Sequence, residues 1–273
     1  MQKNLQRIFP IFALSKMIMT DKQISKLENL VLEYKRVMQE QVNLEKLTYY
    51  AITYHSTAIE GSTLTEGQVY NLLDLDIPAK NKPFSEQQMV IDHQKALVFT
   101  LNKAKERTPL TETLIKEIGA LVMKNTGSIF NTILGTFDST KGDYRLLNVF
   151  AGSRRFPDSA KVAALMEILV REINDKIETV KTFHQKCELA FELHYRFVSI
   201  HPFADGNGRT SRLLMNYILT LFDLPIFYVF KSSRISYIQA LERARETENI
   251  AVFYNFMYRQ YQKFIEKELK NPF

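Results

Sequence analysis

The stretch from His201 to Arg212, HPFADGNGRTSR, decides the fold and the candidate site of this chain. It holds one histidine, one aspartate, two glycines, one asparagine and two arginines, a density of polar groups that packing alone does not explain. Apolar residues recur at helical spacing on both sides of it, which predicts a loop between two helices. Because N–H groups at a helix start lack partners within the helix, Gly206, Asn207 and Gly208 are predicted to bind an anion.

The helix that follows this loop is predicted to have two different faces. Its polar face carries Asp205, Arg209, Arg212 and Asn216, which recur at intervals of whole helical turns. Leucine and tyrosine side chains form the opposite face. The pattern therefore predicts a ligand on one side of the helix and the core on the other.

Composition favours a globular, helical protein. The 273 residues are 45% hydrophobic and 12% aromatic, with only nine glycines and eight prolines, which favours helices around a packed core over a β-sandwich or barrel. The formal charge of +6 comes from basic residues mixed with acids along the helices, a pattern that does not favour a nucleic-acid partner. The single cysteine, Cys187, lies on an apolar helical stripe and is predicted to be buried.

Targeting patterns are weak. The apolar segment at 7–19 resembles the hydrophobic part of a signal peptide, but it is short, contains Pro10 and lacks a small-residue cleavage pattern, so a signal peptide is not expected. No apolar run reaches the roughly 18 residues of a membrane-spanning helix. We therefore expect a cytoplasmic protein without a membrane partner.

The rest of the chain alternates between helical periodicity and short breaks. Residues 21–61 are predicted to form one long helix or two. The capping-box patterns at Thr65 with Gln68 and at Ser85 with Gln88 predict two further helix starts. Periodicity fails between residues 127 and 157, which predicts a β-hairpin or an extended flap. Further helices are predicted at about 111–125, 158–177, 236–246 and 250–269, and on both sides of the motif.

The motif resembles the signature of Fic domains, H-x-F-x-[DE]-G-N-G-R-x-x-R, at every defined position. The matching residues are His201, Phe203, Asp205, Gly206, Asn207, Gly208, Arg209 and Arg212. The resemblance implies an all-α Fic fold, a helical bundle with a small β-hairpin flap next to the active-site loop. It also implies a division into an N-terminal helical region at 1–109, a Fic core at 110–225 and C-terminal helices at 226–273 packed on that core.

A second pattern, STAIEG, resembles the inhibitory motif [ST]-x-x-x-E-[GN] that precedes the core in one class of Fic proteins. Its matching residues are Ser56, Glu60 and Gly61, on a helix expected at about 45–61. A carboxylate at the C-terminal end of a helix is electrostatically misplaced, which indicates a partner elsewhere. The resemblance implies that this partner is Arg212.

The resemblance implies transfer of AMP from Mg-ATP to a Ser, Thr or Tyr hydroxyl of a target protein. His201 would be the general base, and Asp205 would hold Mg²⁺. The backbone of Gly206, Asn207 and Gly208 would cradle the phosphates. Arg209 and Arg212 would contact the phosphates as well, with Arg212 on the γ-phosphate, where Glu60 would compete with it.

Two further assignments come from the same resemblance. Val149, Phe150, Ala151 and Gly152 resemble the flap strand that pairs with a target peptide. Tyr237 is expected near the adenine. Self-modification and a homo-oligomer stay open.

Other functions also stay open. The same site could transfer a different nucleotide or phosphate-linked group, or remove AMP with Glu60 orienting water. A non-catalytic regulator that binds nucleic acid through its basic surface is a third hypothesis, although no helix-turn-helix pattern stands out. A zinc site at His194, His201 and Asp205 is not favoured, because the histidines lie two helical turns apart and no thiolate joins them. His194 and Phe203 are predicted to be core residues.

Overall fold

A computed structural model describes residues 19–39, 44–151 and 154–270. Within those ranges ten α-helices and two small antiparallel hairpins confirm the all-α fold. The helices are α1 (Asp21–Gln39), α2 (Leu44–Ile59), α3 (Glu66–Asp74), α4 (Phe84–Lys105), α5 (Glu112–Val122), α6 (Ser159–Ile177), α7 (Phe183–Ile200), α8 (Asn207–Leu221), α9 (Arg234–Glu246) and α10 (Ala251–Lys270). The hairpins pair β1 (Ile129–Thr132) with β2 (Gly135–Asp138), and β3 (Phe150–Ala151) with β4 (Arg154–Arg155).

The N-terminal region forms two helices, because α1 ends at Gln39 and α2 begins at Leu44. Residues 40–43 between them lie outside the described residues, as do residues 7–18 of the apolar N-terminal segment and Gly152 of the flap. In the described ranges, every helix is too short or too polar to cross a membrane.

One of the two predicted capping boxes is confirmed. The Thr65 hydroxyl accepts a hydrogen bond from the N–H of Gln68 at 3.2 Å, and the Gln68 amide oxygen accepts one from the N–H of Thr65 at 3.0 Å. The box predicted at Ser85 was wrong. Pro83 occupies the cap position with φ of −54° and α4 begins directly after it, so Ser85 already lies in the first turn.

Helix α8 is the centre of the bundle and packs against α2, α4, α5 and α7. The prediction that this polar face meets a ligand was wrong for Asn216, which is buried. Its amide accepts a hydrogen bond from the N–H of Phe227 and donates one to the Phe227 carbonyl, both at 3.1 Å. Asn216 therefore satisfies buried backbone rather than facing a ligand, as a buried amide requires.

The main apolar cluster draws on all three of the expected segments of the chain. It includes Leu27 and Ile52 from the N-terminal helices, Leu214 from α8, and Phe253 and Phe264 from α10. Cys187 and Phe203 belong to the same cluster, as predicted. The N-terminal and C-terminal helices therefore pack directly on the helices that hold the motif.

Candidate active site

His201 ends α7 in a tight turn. Its backbone has φ of 55°, and its N–H donates to the Phe197 carbonyl at 2.9 Å. The side-chain amide of Asn207 stabilises the same turn. Its oxygen accepts a hydrogen bond from the N–H of Phe203 and its nitrogen donates one to the Phe203 carbonyl, both at 2.9 Å. Phe203 is anchored against Gly119, where a Cβ would lie 2.6 Å from the ring. The side chain of Asn207 thus shapes the loop, and only its backbone N–H is available to a ligand.

Arg145 fixes the backbone of this turn, and the sequence analysis did not identify it. The side chain is fully buried, and its Nε donates to the His201 carbonyl at 2.8 Å. The other nitrogens donate to the carbonyls of Leu147, at 2.8 Å, and Pro157, at 2.6 Å, on either side of the second hairpin. Its backbone N–H donates to the Pro202 carbonyl at 2.9 Å. One side chain therefore links the motif turn to both ends of the flap.

The His201 ring is held in one orientation and kept neutral. It stacks on Phe156 at a centroid distance of 3.9 Å and an angle of 20°. Burial lowers the pKa of His201 to about 4, although the nearby Val198 carbonyl opposes the shift. Nδ1 lies 3.4 Å from that carbonyl, and with a proton donated there Nε2 is left as the basic nitrogen. The imidazole can therefore accept a proton at neutral pH.

The start of α8 carries the N–H groups that the sequence predicts to bind an anion. The N–H groups of Asn207, Gly208 and Arg209 have no acceptor in the described part of the chain. A Cβ on Gly208 would lie 2.2 Å from Oε1 of Glu60, so the absence of a side chain at 208 lets this carboxylate approach the helix end. A carboxylate of the chain itself therefore lies where the sequence predicted an anion.

Glu60 reaches that position by pairing with Arg212. Nη2 of Arg212 donates to Oε1 of Glu60 at 2.7 Å. The same guanidinium donates to the hydroxyl of Ser56 at 2.9 Å and to its carbonyl at 3.0 Å. The Arg212 side chain is 4% exposed and that of Glu60 is 35% exposed. Gly61, with φ of 105°, turns the chain away directly after Glu60, so the inhibitory pattern and the motif meet through these contacts.

Asp205 and Arg209 have different environments. The Asp205 side chain is 74% exposed, and its Oδ1 accepts from the N–H of Gly206 at 2.6 Å. Arg209 is buried, donates to the Val122 carbonyl at 3.3 Å and lies 3.4 Å from Oδ2 of Asp205. Arg209 therefore joins the loop to the end of α5, and its direct contact with phosphate stays a prediction.

The exposed Asp205 carboxylate fits a magnesium ion that arrives with a nucleotide. Mg²⁺ keeps several waters and uses one or two carboxylates together with substrate phosphates. Among the described residues no group of three or more His, Cys, Asp or Glu side chains is placed to hold a metal. A magnesium site built from Asp205 and phosphate oxygens agrees with this preference of Mg²⁺ and does not require such a group.

Tyr237 lies in the core, next to the candidate site. It is buried beside Arg212, and its hydroxyl lies 2.9 Å from Nε2 of His194. The Ser211 hydroxyl lies 3.3 Å from the same nitrogen, which confirms His194 as a core residue. This position favours a role for Tyr237 in holding Arg212 over the predicted contact with a nucleotide base.

The second hairpin forms the predicted flap. Phe150 pairs with Arg155 and Ala151 pairs with Arg154, and both residues of β3 are exposed. The chain then passes to Phe156, whose N–H donates to the Val149 carbonyl at 3.3 Å and whose ring stacks on His201. The flap is therefore attached beside the histidine, and its pairing with a peptide stays a prediction.

Comparison with known proteins supports the motif assignment. The Fic/DOC family profile matches residues 109–219. Protein adenylyltransferase Fic from Drosophila erecta is 30% identical over 203 residues, which cover 74% of this chain and 38% of that protein. The chain thus spans about two-fifths of the length of the curated relatives it matches.

Two solved structures share the fold. A Fic domain containing signaling protein from Bacteroides thetaiotaomicron superposes with a TM-score of 0.76 at 24% identity, over 90% of this chain and 96% of that one. Fic-1 from C. elegans superposes with a TM-score of 0.74 at 24% identity, over 95% of this chain and 73% of that one. With the complete motif at the start of α8 and the matching profile, residues 109–219 form a domain of the Fic/DOC family.

Proposed function

We propose that this chain is a protein adenylyltransferase, which transfers AMP from ATP to a hydroxyl group of a target protein. The observation that carries the proposal is a neutral His201 imidazole at the turn before a helix start whose N–H groups have no acceptor among the described residues. A base and an anion site at one turn are what attack of a hydroxyl on a phosphate requires. The relatives named protein adenylyltransferase support this reaction class.

The chemistry follows from the residues of the turn. The target hydroxyl oxygen bonds to the α-phosphorus of ATP, the bond to the oxygen that bridges to the β-phosphate breaks, and pyrophosphate leaves. Nε2 of His201 accepts the hydroxyl proton. The free N–H groups at the start of α8 stabilise the charge that develops on the phosphate oxygens. Mg²⁺ held by Asp205 would neutralise part of the phosphate charge.

Glu60 inhibits this reaction in our proposal. Its carboxylate lies against Gly208 and holds Arg212, the group that the γ-phosphate would otherwise use. ATP could then bind only with its phosphates displaced, and its α-phosphorus would not face the attacking hydroxyl. A misplacement of about 1 Å is enough to slow such a reaction about 100-fold.

The target protein docks on the flap in the same proposal. The exposed β3 strand offers backbone groups to an extended segment, which would form an additional strand. Because Phe156 connects the flap to the His201 ring, a segment paired there would bring a hydroxyl toward Nε2.

The test is transfer of label from ATP. The Glu60→Gly variant, incubated with Mg²⁺ and candidate target proteins, should transfer label from α-³²P-ATP and none from γ-³²P-ATP, which distinguishes AMP transfer from phosphate transfer. The additional change His201→Ala should abolish the transfer. Glu45→Gln is the matched control, because it removes a glutamate at the start of α2 that pairs with Lys105 instead of Arg212. Transfer that survives His201→Ala would refute the assigned base.

Removal of AMP is a second candidate, which the position of Glu60 favours. Its carboxylate is partly exposed and lies close enough to His201 to act on the pKa of the ring. A carboxylate there could orient water toward a phosphate. Hydrolysis of an AMP-modified protein that is lost in Glu60→Gly would support removal, and equal hydrolysis with and without Glu60 would exclude this role.

A further inference from the structure

Three flat side-chain groups stack beside the candidate base. The Arg154 guanidinium lies 4.2 Å from the centroid of the Phe156 ring, and the same ring stacks on the His201 imidazole at 3.9 Å with an angle of 20° between the planes. Both groups would collide on one face of the ring, because carbon atoms that are not bonded stay about 3.5–4 Å apart. The guanidinium and the imidazole therefore occupy opposite faces of Phe156, at most about 8 Å from each other.

The ring face is the observed contact of the Arg154 guanidinium. Within residues 19–39, 44–151 and 154–270 this group makes no hydrogen bond and no ion pair, although the residue is partly buried. The adjacent Arg155, in contrast, is exposed and pairs with Asp158. A guanidinium is planar and is attracted to the electron-rich face of an aromatic ring. Arg154 is therefore placed to act on the ring of Phe156 rather than on a described carboxylate.

The stack restricts the orientation of the His201 ring. A second contact, between Nδ1 and the Val198 carbonyl, is 3.4 Å long, whereas a strong N–H···O bond measures about 2.7–3.2 Å. This contact alone would hold the ring weakly. Rotation about the Cβ–Cγ bond would lift the imidazole out of its parallel contact with Phe156, and Phe156 is 5% exposed, so packing prevents it from following. Stacking therefore keeps Nε2, the basic nitrogen, in one position.

Arg154 also places a positive charge near the imidazole. Burial, followed by the charge of Arg245, lowers the pKa of Arg154 to about 10, so the guanidinium stays charged at neutral pH. A nearby positive charge disfavours the protonated imidazole, in the same direction as burial, which is the main cause of the low pKa of His201. Arg145 acts in the same direction and Glu60 in the opposite one. The His201 imidazole is therefore ready to accept a proton over a wide pH range.

We propose that Arg154 and Phe156 are positioning residues for His201, which hold the imidazole from the side of the flap with its Nε2 toward the attacking hydroxyl. This inference rests on the proposed function, because it takes His201 as the base of the transfer. Neither residue belongs to the motif at 201–212. Arg154 lies on β4 and Phe156 follows that strand, so a target segment paired with the flap would bind beside the residues that orient the base. The flap would then both bind the target and orient the base.

The test separates the charge of Arg154 from its flat shape. In the Glu60→Gly protein, the pKa of His201 is measured by NMR titration, with the signal assigned through His201→Ala, and AMP transfer is measured against pH. Arg154→Gln removes the charge and should raise the pKa of His201 by about 0.4–1.5, the effect of a unit charge at about 8 Å in an effective dielectric of about 20–80. The acidic limb of kcat/KM should move to higher pH by the same amount. Arg154→Lys keeps the charge and should move both less than half as far.

A change at Phe156 tests the orientation of the ring. Phe156→Leu removes the flat face and should lower kcat about tenfold or more, because Nε2 is then misplaced, while KM for ATP changes less than about twofold. The melting temperature shows whether this variant folds, since Phe156 is buried. If it does not fold, the Arg154 variants decide the inference.

Arg155→Gln is the matched control. It removes a charge from the same strand and should leave the pKa of His201 and the rates unchanged, since Arg155 pairs with Asp158. An unchanged pKa and pH profile in Arg154→Gln would overturn the inference, as would equal changes in Arg155→Gln or a folded Phe156→Leu variant with the original kcat. A raised pKa of His201 in Arg154→Gln, without AMP transfer by Glu60→Gly, would support the stack and contradict the proposed transferase activity.

Discussion

Changes at Glu60 should raise the affinity for ATP more than the affinity for ADP. The pair between Glu60 and Arg212 has an N–O distance of 2.7 Å, with the arginine 4% exposed and the glutamate 35% exposed. A charge-assisted hydrogen bond of this kind contributes about 1.5–3 kcal/mol, and screening by solvent at the glutamate reduces it to about 1–2 kcal/mol. A γ-phosphate that replaces this carboxylate must overcome that energy, so its removal should tighten ATP binding about 5-fold to 30-fold.

Two substitutions separate charge from volume. Glu60→Gln removes the charge and keeps the atoms that lie against Gly208, whereas Glu60→Gly removes both. If charge dominates, the two variants bind ATP similarly, and if the atoms over Gly208 dominate, only Glu60→Gly gains affinity. Isothermal titration of ATP and ADP in a His201→Ala background measures binding without turnover.

Selectivity for the triphosphate is the decisive result. ADP lacks the phosphate expected at Arg212 and should gain less than about threefold. Glu45→Gln, which breaks the pair between the start of α2 and Lys105 of α4, should leave both affinities unchanged. Equal gains for ATP and ADP, or no gain for either in Glu60→Gly, would refute the competition between Glu60 and a γ-phosphate.

Three further outcomes are expected. Arg145→Met should lower the free energy of unfolding by about 3 kcal/mol or more, because it leaves several partly buried carbonyls unpaired. It should also lower kcat, since it frees the His201 backbone. Urea unfolding and steady-state rates check this, and an unchanged kcat would contradict the positioning role. Lower pH should destabilise the fold between about pH 6.5 and 4. Burial lowers the pKa of His201 to about 4 and that of His194 to about 3, so the unfolded chain binds more protons than the folded chain in this range. Each histidine contributes up to about 1.4 kcal/mol per pH unit, and His194→Gln should reduce the slope of the unfolding free energy against pH, measured by urea titration. Gly208→Ala should lower the melting temperature in the natural sequence and much less in Glu60→Gly, because the added Cβ would lie 2.2 Å from the carboxylate; equal losses in both backgrounds would place the clash elsewhere.

The motif could be predicted from sequence because its groups are consecutive. A helix end, a turn and a helix start follow from local periodicity, and they bring His201 and the N–H groups of Gly208 and Arg209 to one place. The contact between Glu60 and Arg212 joins residues far apart in the chain, and only the family resemblance indicated it. Periodicity alone assigns Glu60 to a helix end and gives no partner.

The residues that were missed act through contacts without a local pattern. Arg145 lies in the non-helical segment, where no spacing rule predicts a side chain that binds the His201 carbonyl. Asn216 has the spacing of a ligand-facing residue, yet its amide satisfies the buried backbone of Phe227. A helical face that is polar in sequence can therefore be internal when backbone groups from a neighbouring segment need partners.

The contacts of Arg212 also indicate how the proposed inhibition by Glu60 would be relieved. Ser56 lies within α2 and holds the guanidinium through its hydroxyl and its carbonyl, whereas Glu60 lies past the last residue of the helix, Ile59. Because Gly61 turns the chain directly after Glu60, the glutamate can leave by rotation of its side chain or by opening of the final turn. Arg212 then stays oriented by Ser56 and needs no rearrangement before it meets a phosphate. Relief of inhibition would therefore require only a local change at the end of α2, while the rest of that helix stays packed on α4 and α8.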